Sequence, residues 1–222
     1  MRKFLVPALL TGFIIVVSAN YEKKYSISDF KRLSWEIFPS EGKDNQQLSG
    51  KVWTINNTLP EPILLIAPYK EESFGLEATF HFESGALSRA GIFFNLQDDI
   101  SESGKATLMA VEVTPNGQAF YSLVQYGNWR EISRASFKMS ERKPRDVTLK
   151  LTKIEKHIEV RLNAETMKLA DENPLGVGTF GFIFSPMTKV KLSDFKFTRY
   201  RKEFVPFQGI DVEATFGKKK EG

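Results

Sequence analysis

The chain contains no cysteine, so neither a disulfide nor a thiolate metal site is open to it. Its two histidines, His81 and His157, are far apart in sequence. Zinc sites draw three or four ligands from His, Cys and carboxylates, and this pair is a poor start for one. No G-x-S-x-G elbow and no phosphate-binding glycine loop ahead of a helix is present. No apolar run reaches the roughly 20 residues that a membrane-spanning helix needs. The nearest, Phe4 to Val17, is interrupted by Pro7 and Gly12.

A basic stripe is also missing. The formal charge is +4, from 31 basic and 27 acidic residues. Setting aside Arg2, Lys3, Lys218, Lys219 and Lys220 on one side and Glu221 on the other leaves 26 of each sign in the body. A neutral body does not neutralise phosphates, which excludes a nucleic-acid partner from the expectations.

The N-terminus reads as an export signal. Arg2 and Lys3 precede the apolar stretch, and Val17-Ser18-Ala19 places small residues where a signal peptidase cuts. Residues 1–19 are expected to be removed, giving a secreted or periplasmic protein. Lys23 and Lys24 leave an uncleaved anchor as the alternative, and with it the single route to a membrane. The lack of cysteine excludes an N-terminal lipoprotein, and it favours a bacterial envelope over a disulfide-bonded animal module.

What is abundant is alternation. Phe74 to Glu83 sets Phe74, Leu76, Ala78, Phe80 and Phe82 on one face and Gly75, Glu77, Thr79, His81 and Glu83 on the other. Similar short segments follow from Gly91 to Tyr200, bounded by turns at Pro115-Asn116-Gly117, Gly127-Asn128, Pro144 and Gly176. The 19 phenylalanines fall largely at alternating positions, as a sandwich core requires. The fold class expected is all-β, an antiparallel jelly-roll β-sandwich. A single domain is expected over 20–203, followed by an extension with a basic tail at 204–222. Lys43 to Gln47 reads as a polar loop, Ser28-Asp29-Phe30 as the start of a helical turn, and Ser193-Asp194 as a β-bulge.

The segments FGLEATFHFES, SRAGIFFNLQDD, FYSLVQYGNWREI and DVTLKLTKIEKHIEVRLN, closed by GTFGFIFSPMTKVKLSDFKFTRY, run from Phe74 to Tyr200. In order and pattern they resemble the concanavalin A-like lectin/glucanase superfamily, which includes laminin-G-like jelly rolls. Within it they are most similar to bacterial 3-keto-disaccharide hydrolase or family-16-like domains. The resemblance implies a glycan or cell-surface polysaccharide as partner. It also implies rim loops that hold calcium.

The glucanases of that superfamily carry an E-x-D-x-E or E-x-D-x-x-E triplet, which is absent here. Glu77 and Glu83 lie six positions apart on one strand. Their backbones are then about 20 Å apart, too far to flank one sugar bond, whose retaining carboxylates sit about 5 Å apart. No catalytic residue is assigned. The reading favours a non-catalytic carbohydrate- or surface-binding protein. An envelope glycoside hydrolase and a protein-interaction module remain as alternatives. Asp98, Asp99 and Glu102 are the candidate calcium ligands. Trp35, Trp53, Tyr121, Tyr126 and Trp129 are the aromatic candidates for a ligand platform, on which sugar C–H faces stack. Gln125, Asn128 and Arg130 beside Trp129 are the candidate polar contacts, because loops at the ends of such scaffolds carry ligands.

Overall fold

The computed structural model describes residues 19–20, 23–25, 35–97, 106–155, 157–167, 175–200 and 202–203. Residues 1–18 of the expected signal at 1–19, the turn at Ser28, the candidate calcium loop with Asp98, Asp99 and Glu102, and the extension from 204 onward lie outside these residues. The first strands in chain order are β1 (Ala19–Asn20), β2 (Lys23–Tyr25), β3 (Glu36–Phe38), β4 (Gln46–Ser49), β5 (Val52–Asn56) and β6 (Ile63–Glu71). They are followed by β7 (Phe74–Phe82), β8 (Ala90–Gln97), β9 (Thr107–Val113), β10 (Gln118–Gln125), β11 (Asn128–Ser136) and β12 (Asp146–Ile154). The last are β13 (His157–Leu162), β14 (Glu165–Met167), β15 (Gly178–Phe184), β16 (Lys189–Arg199) and β17 (Lys202–Glu203).

Two antiparallel sheets form a jelly-roll sandwich within the unit Glu22–Tyr200. One sheet has seven strands in the order β11-β10-β9-β8-β15-β6-β3. The other runs β14-β13-β12-β7-β16-β5-β4, with β2 also paired to β16. In a second unit, β1 and β17 pair antiparallel, Ala19 opposite Glu203.

Alternation explains the core. Phe74, Leu76, Ala78, Phe80 and Phe82 of β7 are all fully buried between the sheets. They meet Phe180, Phe182 and Phe184 of β15, with Phe74 and Phe180 stacked at 4.2 Å. Lys153 continues the inward phase of Leu149 and Leu151, and its ammonium is buried at the sandwich end, donating to the Glu72 carbonyl at 2.6 Å. Burial pushes that ammonium's pKa down.

The opposite face of β7 is charged and wet. Glu77 pairs with Lys196 at 2.9 Å, and Glu83 with Lys189 and Lys191. His81 meets Asp146, and Thr79 meets Thr148 at 3.0 Å. These are cross-strand pairs on a solvated sheet face. Asp194, at φ 51, marks the expected bulge in β16. The polar stretch Lys43–Gln47 is not a loop. It belongs to a 3-10 helix, Ser40–Asn45, and to β4. Gly50, at φ 59, closes the turn that returns the chain into β5, and the Gln46 side chain accepts from the Trp53 indole.

Candidate ligand site on the outer face of the seven-stranded sheet

Met109, Val111 and Val113 of β9, and Ala119, Tyr121 and Leu123 of β10, belong to the core between the sheets. Their neighbours Leu108, Ala110 and Glu112, and Phe120, Ser122 and Val124, therefore point to the outer face. Most of that face is apolar and buried, with Leu64, Ile66, Phe93, Leu108, Ala110, Val124 and Ile183 in one cluster. At one end the apolar set gives way to Glu112, Ser122, Glu131, Arg89 and Ser185. With Trp129 these line a cavity of about 380 Å³.

The β10–β11 hairpin places one wall. Tyr126 (φ 50) and Gly127 (φ 76) both take positive φ, as a two-residue type I′ turn demands. That turn sets Trp129 opposite Val124 and Glu131 opposite Ser122. A register shift then leaves Ile132 unpaired, so that Arg134 faces Phe120. Without this bulge, Glu131 and Arg134, three residues apart, would fall on opposite faces. With it, they form a fork-to-fork pair at 3.1 and 2.8 Å.

The other wall is pinned by Asn57, which is buried. Its amide donates to the Phe184 and Ser185 carbonyls at 2.9 and 3.1 Å. Ser185 Oγ in turn donates to Glu112 at 2.6 Å. Gly91 stands opposite Glu112 in the β8–β9 pair.

Two carboxyls in one cavity thus have different environments. Burial pushes the Glu112 pKa up, against the Ser185 hydrogen bond and the Arg89 charge. The Arg134 hydrogen bond holds Glu131 below the usual range. Glu112 therefore keeps its proton to a higher pH in the folded chain than in the unfolded chain. The stability this gives is complete below the ordinary glutamate value of 4.5 and is lost as pH rises through the folded value. Glu112→Gln carries no such titration. As pH rises above the ordinary glutamate value of 4.5, the unfolding midpoint of Glu112→Gln is expected to rise relative to the natural chain. A difference between the two that does not change with pH would contradict the burial argument.

Of the aromatic and polar candidates read from the sequence, Trp129 lines this cavity, with 43% of its surface exposed. Tyr121 does not belong to a ligand site. It points inward, is fully buried and stacks over Phe94 with centroids 6.4 Å apart. Trp53 is likewise buried, and Trp35 packs on Phe182 and Phe195 at the edge of the core. Tyr126 is exposed at the hairpin tip, outside the cavity lining. Gln125 and Asn128 pair with each other across the turn, and Arg130 pairs with Leu123, on the side of β11 opposite Trp129. These side chains are exposed but do not converge with Trp129. Among the described residues, no group of three or more His, Asp or Glu side chains is placed to hold a metal.

Sequence reading does not find Arg89, Glu112, Ser122, Glu131 and Ser185. One signal is available. Glu112 is the lone charge in the wholly buried strand Thr107–Val113, a local conflict of the kind that functional sites produce.

No family model and no curated protein matches the sequence. The solved structures it resembles share its fold, an antiparallel jelly-roll β-sandwich. A prokaryotic β-1,3-1,4-glucanase (lichenase) derived from a mouse hindgut metagenome is similar with TM-score 0.58 at 8% identity, over 80% of this chain and 98% of that one. The carbohydrate-binding module CBM66 from Bacillus subtilis is similar with TM-score 0.54 at 10% identity, over 68% of this chain and 88% of that one. The VIP36 exoplasmic/lumenal domain, in a Ca2+/Man3GlcNAc-bound form, is similar with TM-score 0.51 at 11% identity, over 78% of this chain and 86% of that one.

Proposed function

We propose that this chain is an exported, non-catalytic glycan-binding protein whose ligand enters the outer-face cavity against Trp129. The observation that carries the reading is the exposed indole on the wall of a cavity that also holds two carboxyls, a guanidinium and two serine hydroxyls. Sugar rings offer apolar C–H faces to an indole and hydroxyls to such polar groups. The fold is shared with a carbohydrate-binding module and a mannose-oligosaccharide-bound domain, which favours this ligand class without fixing it. Calcium at Asp98, Asp99 and Glu102 is part of the proposal.

The test is a glycan array and polysaccharide pull-down, with and without calcium. Trp129→Ala is expected to weaken binding roughly tenfold or more, because alanine cannot replace the apolar contact area. Its unfolding curve should stay close to that of the natural chain, since the indole is already half in water. Equal binding by Trp129→Ala would remove the site. Export is tested separately: the mature chain recovered from the envelope or medium should begin near Asn20, and an intact Met1 would favour an anchor.

A second reading is a glycoside hydrolase. It is favoured by Glu112 and Glu131 sharing one cavity with pKa values pushed apart, the pattern of an acid and its partner. The bidentate grip of Arg134 on Glu131 weighs against it, because both carboxylate oxygens are engaged. Release of reducing sugar by the natural chain, lost in Glu112→Gln, would establish the hydrolase in place of the binding protein.

A further inference from the structure

Resting on the glycan reading above, we propose that the ligand carries a carboxylate, as a uronic acid residue does, and that this carboxylate seats on the Arg89 guanidinium inside the cavity. Arg89 is fixed at the backbone. Its carbonyl accepts from the Ser185 amide at 3.0 Å and from Thr188 Oγ1 at 3.2 Å. Its guanidinium carbon lies 3.8 Å from the centroid of the Phe120 ring. A stacked guanidinium uses one planar face and leaves its edge N–H donors for other partners.

Arg134 shows what such donors do here. It covers the same ring at 4.7 Å, and its fork is filled by Glu131. Arg89 has the same ring contact but no ion pair or side-chain hydrogen bond among the described residues. A ligand carboxylate supplies such a guanidinium with a bidentate acceptor. The pairing of charges agrees. The charged and titratable groups around the cavity are Arg89, Arg134, Glu131 and Glu112. Glu131 is engaged through both oxygens by Arg134, and burial raises the Glu112 pKa against the pull of the Arg89 charge. Arg89 is the guanidinium left without a carboxylate at hydrogen-bond distance among the described residues. Ser122 and Ser185 offer hydroxyls beside it, and Trp129 offers a flat apolar wall, which a pyranose ring fits better than an acidic peptide does.

The experiment is calorimetric titration of the full chain, Arg89→Gln and Arg89→Lys. The probes are galacturonate, glucuronate and mannuronate oligomers, the carboxyl-reduced form of each, and a capped glutamate peptide. At least one uronate is expected to bind about tenfold or more tighter than its reduced form, as a charge-assisted bidentate bond predicts. Arg89→Gln should erase that difference, and Arg89→Lys, which keeps the charge without the fork, should restore part of it. Uronate affinity should fall as pH rises and Glu112 ionises, while any affinity for a neutral sugar stays level. Unfolding curves for each variant separate loss of the seat from loss of the fold, and Arg89→Lys carries the test if Arg89→Gln is unstable. If reduced sugars bind as tightly and Arg89→Gln changes nothing, the carboxylate inference fails while the glycan reading stands. If no saccharide binds, both fail. If the glutamate peptide binds as well as the best uronate, the saccharide assignment is overturned.

Discussion

Phe180→Ala is expected to lower the stability of the chain by about 3–5 kcal/mol, the range for truncating a fully buried phenylalanine. Phe180 is fully buried. It stacks on Phe74 at 4.2 Å and Phe197 at 5.1 Å, and meets the edge of Trp35 at 6.3 Å. Phe74 and Phe197 belong to neighbouring strands of the eight-stranded sheet, and Phe180 to the other sheet. The lost ring therefore opens a cavity between two hydrogen-bonded layers, and neither layer collapses into it without breaking its ladder. For a domain of this size the thermal midpoint should drop by roughly 6–20 °C. Urea unfolding measures the change directly. Leu87→Ala, at a position 91% exposed, is the control and should stay within about 0.5 kcal/mol of the natural chain. A similar small change at Phe180 would mean that the inter-sheet contact is not where the stability resides.

The residues of that core are legible in the sequence because β7 alternates cleanly. One of its faces is apolar and the other charged, so period-2 reading has a single solution. The same reading fails on β9 and β10. Along Leu108–Val113 and Ala119–Val124 both phases are largely apolar, because this sheet is buried on both faces there. Nothing in the pattern then tells which phase enters the core. Tyr121 reads as a ligand residue for that reason: its phase is ambiguous, and its ring type alone suits a platform as well as a core. Glu112, two strands away from Trp129, belongs to the site because of pairing between β9, β10 and β11. That pairing depends on a bulge at Ile132 which no local residue announces. The exposed hairpin with Trp129 is legible from its turn, although the turn is Tyr126-Gly127 and Asn128 already starts the next strand.

Gly91→Ala is expected to destabilise the chain by about 1–3 kcal/mol or more, as overpacking in a tight sheet does. A methyl group built at Gly91 would lie 1.9 Å from the Val111 carbonyl oxygen and 2.7 Å from the Glu112 Cα. Both are backbone atoms of β9, so no side-chain rotation relieves the clash. The relief has to come from β8 moving away from β9 at the pair Gly91–Glu112. That displacement separates Glu112 from Arg89, which lies two residues before Gly91, and from Ser185, whose amide is bonded to the Arg89 carbonyl. The substitution should therefore have two signatures in the same unfolding series. Stability falls, and the pH dependence contributed by Glu112 shrinks, because a displaced carboxyl regains water. Gly85→Ala is the control, since an added Cβ there meets nothing within 4 Å. If Gly91→Ala unfolds like the natural chain and keeps the full Glu112 titration, then the close approach of β8 to β9 is not what holds Glu112 in its buried position.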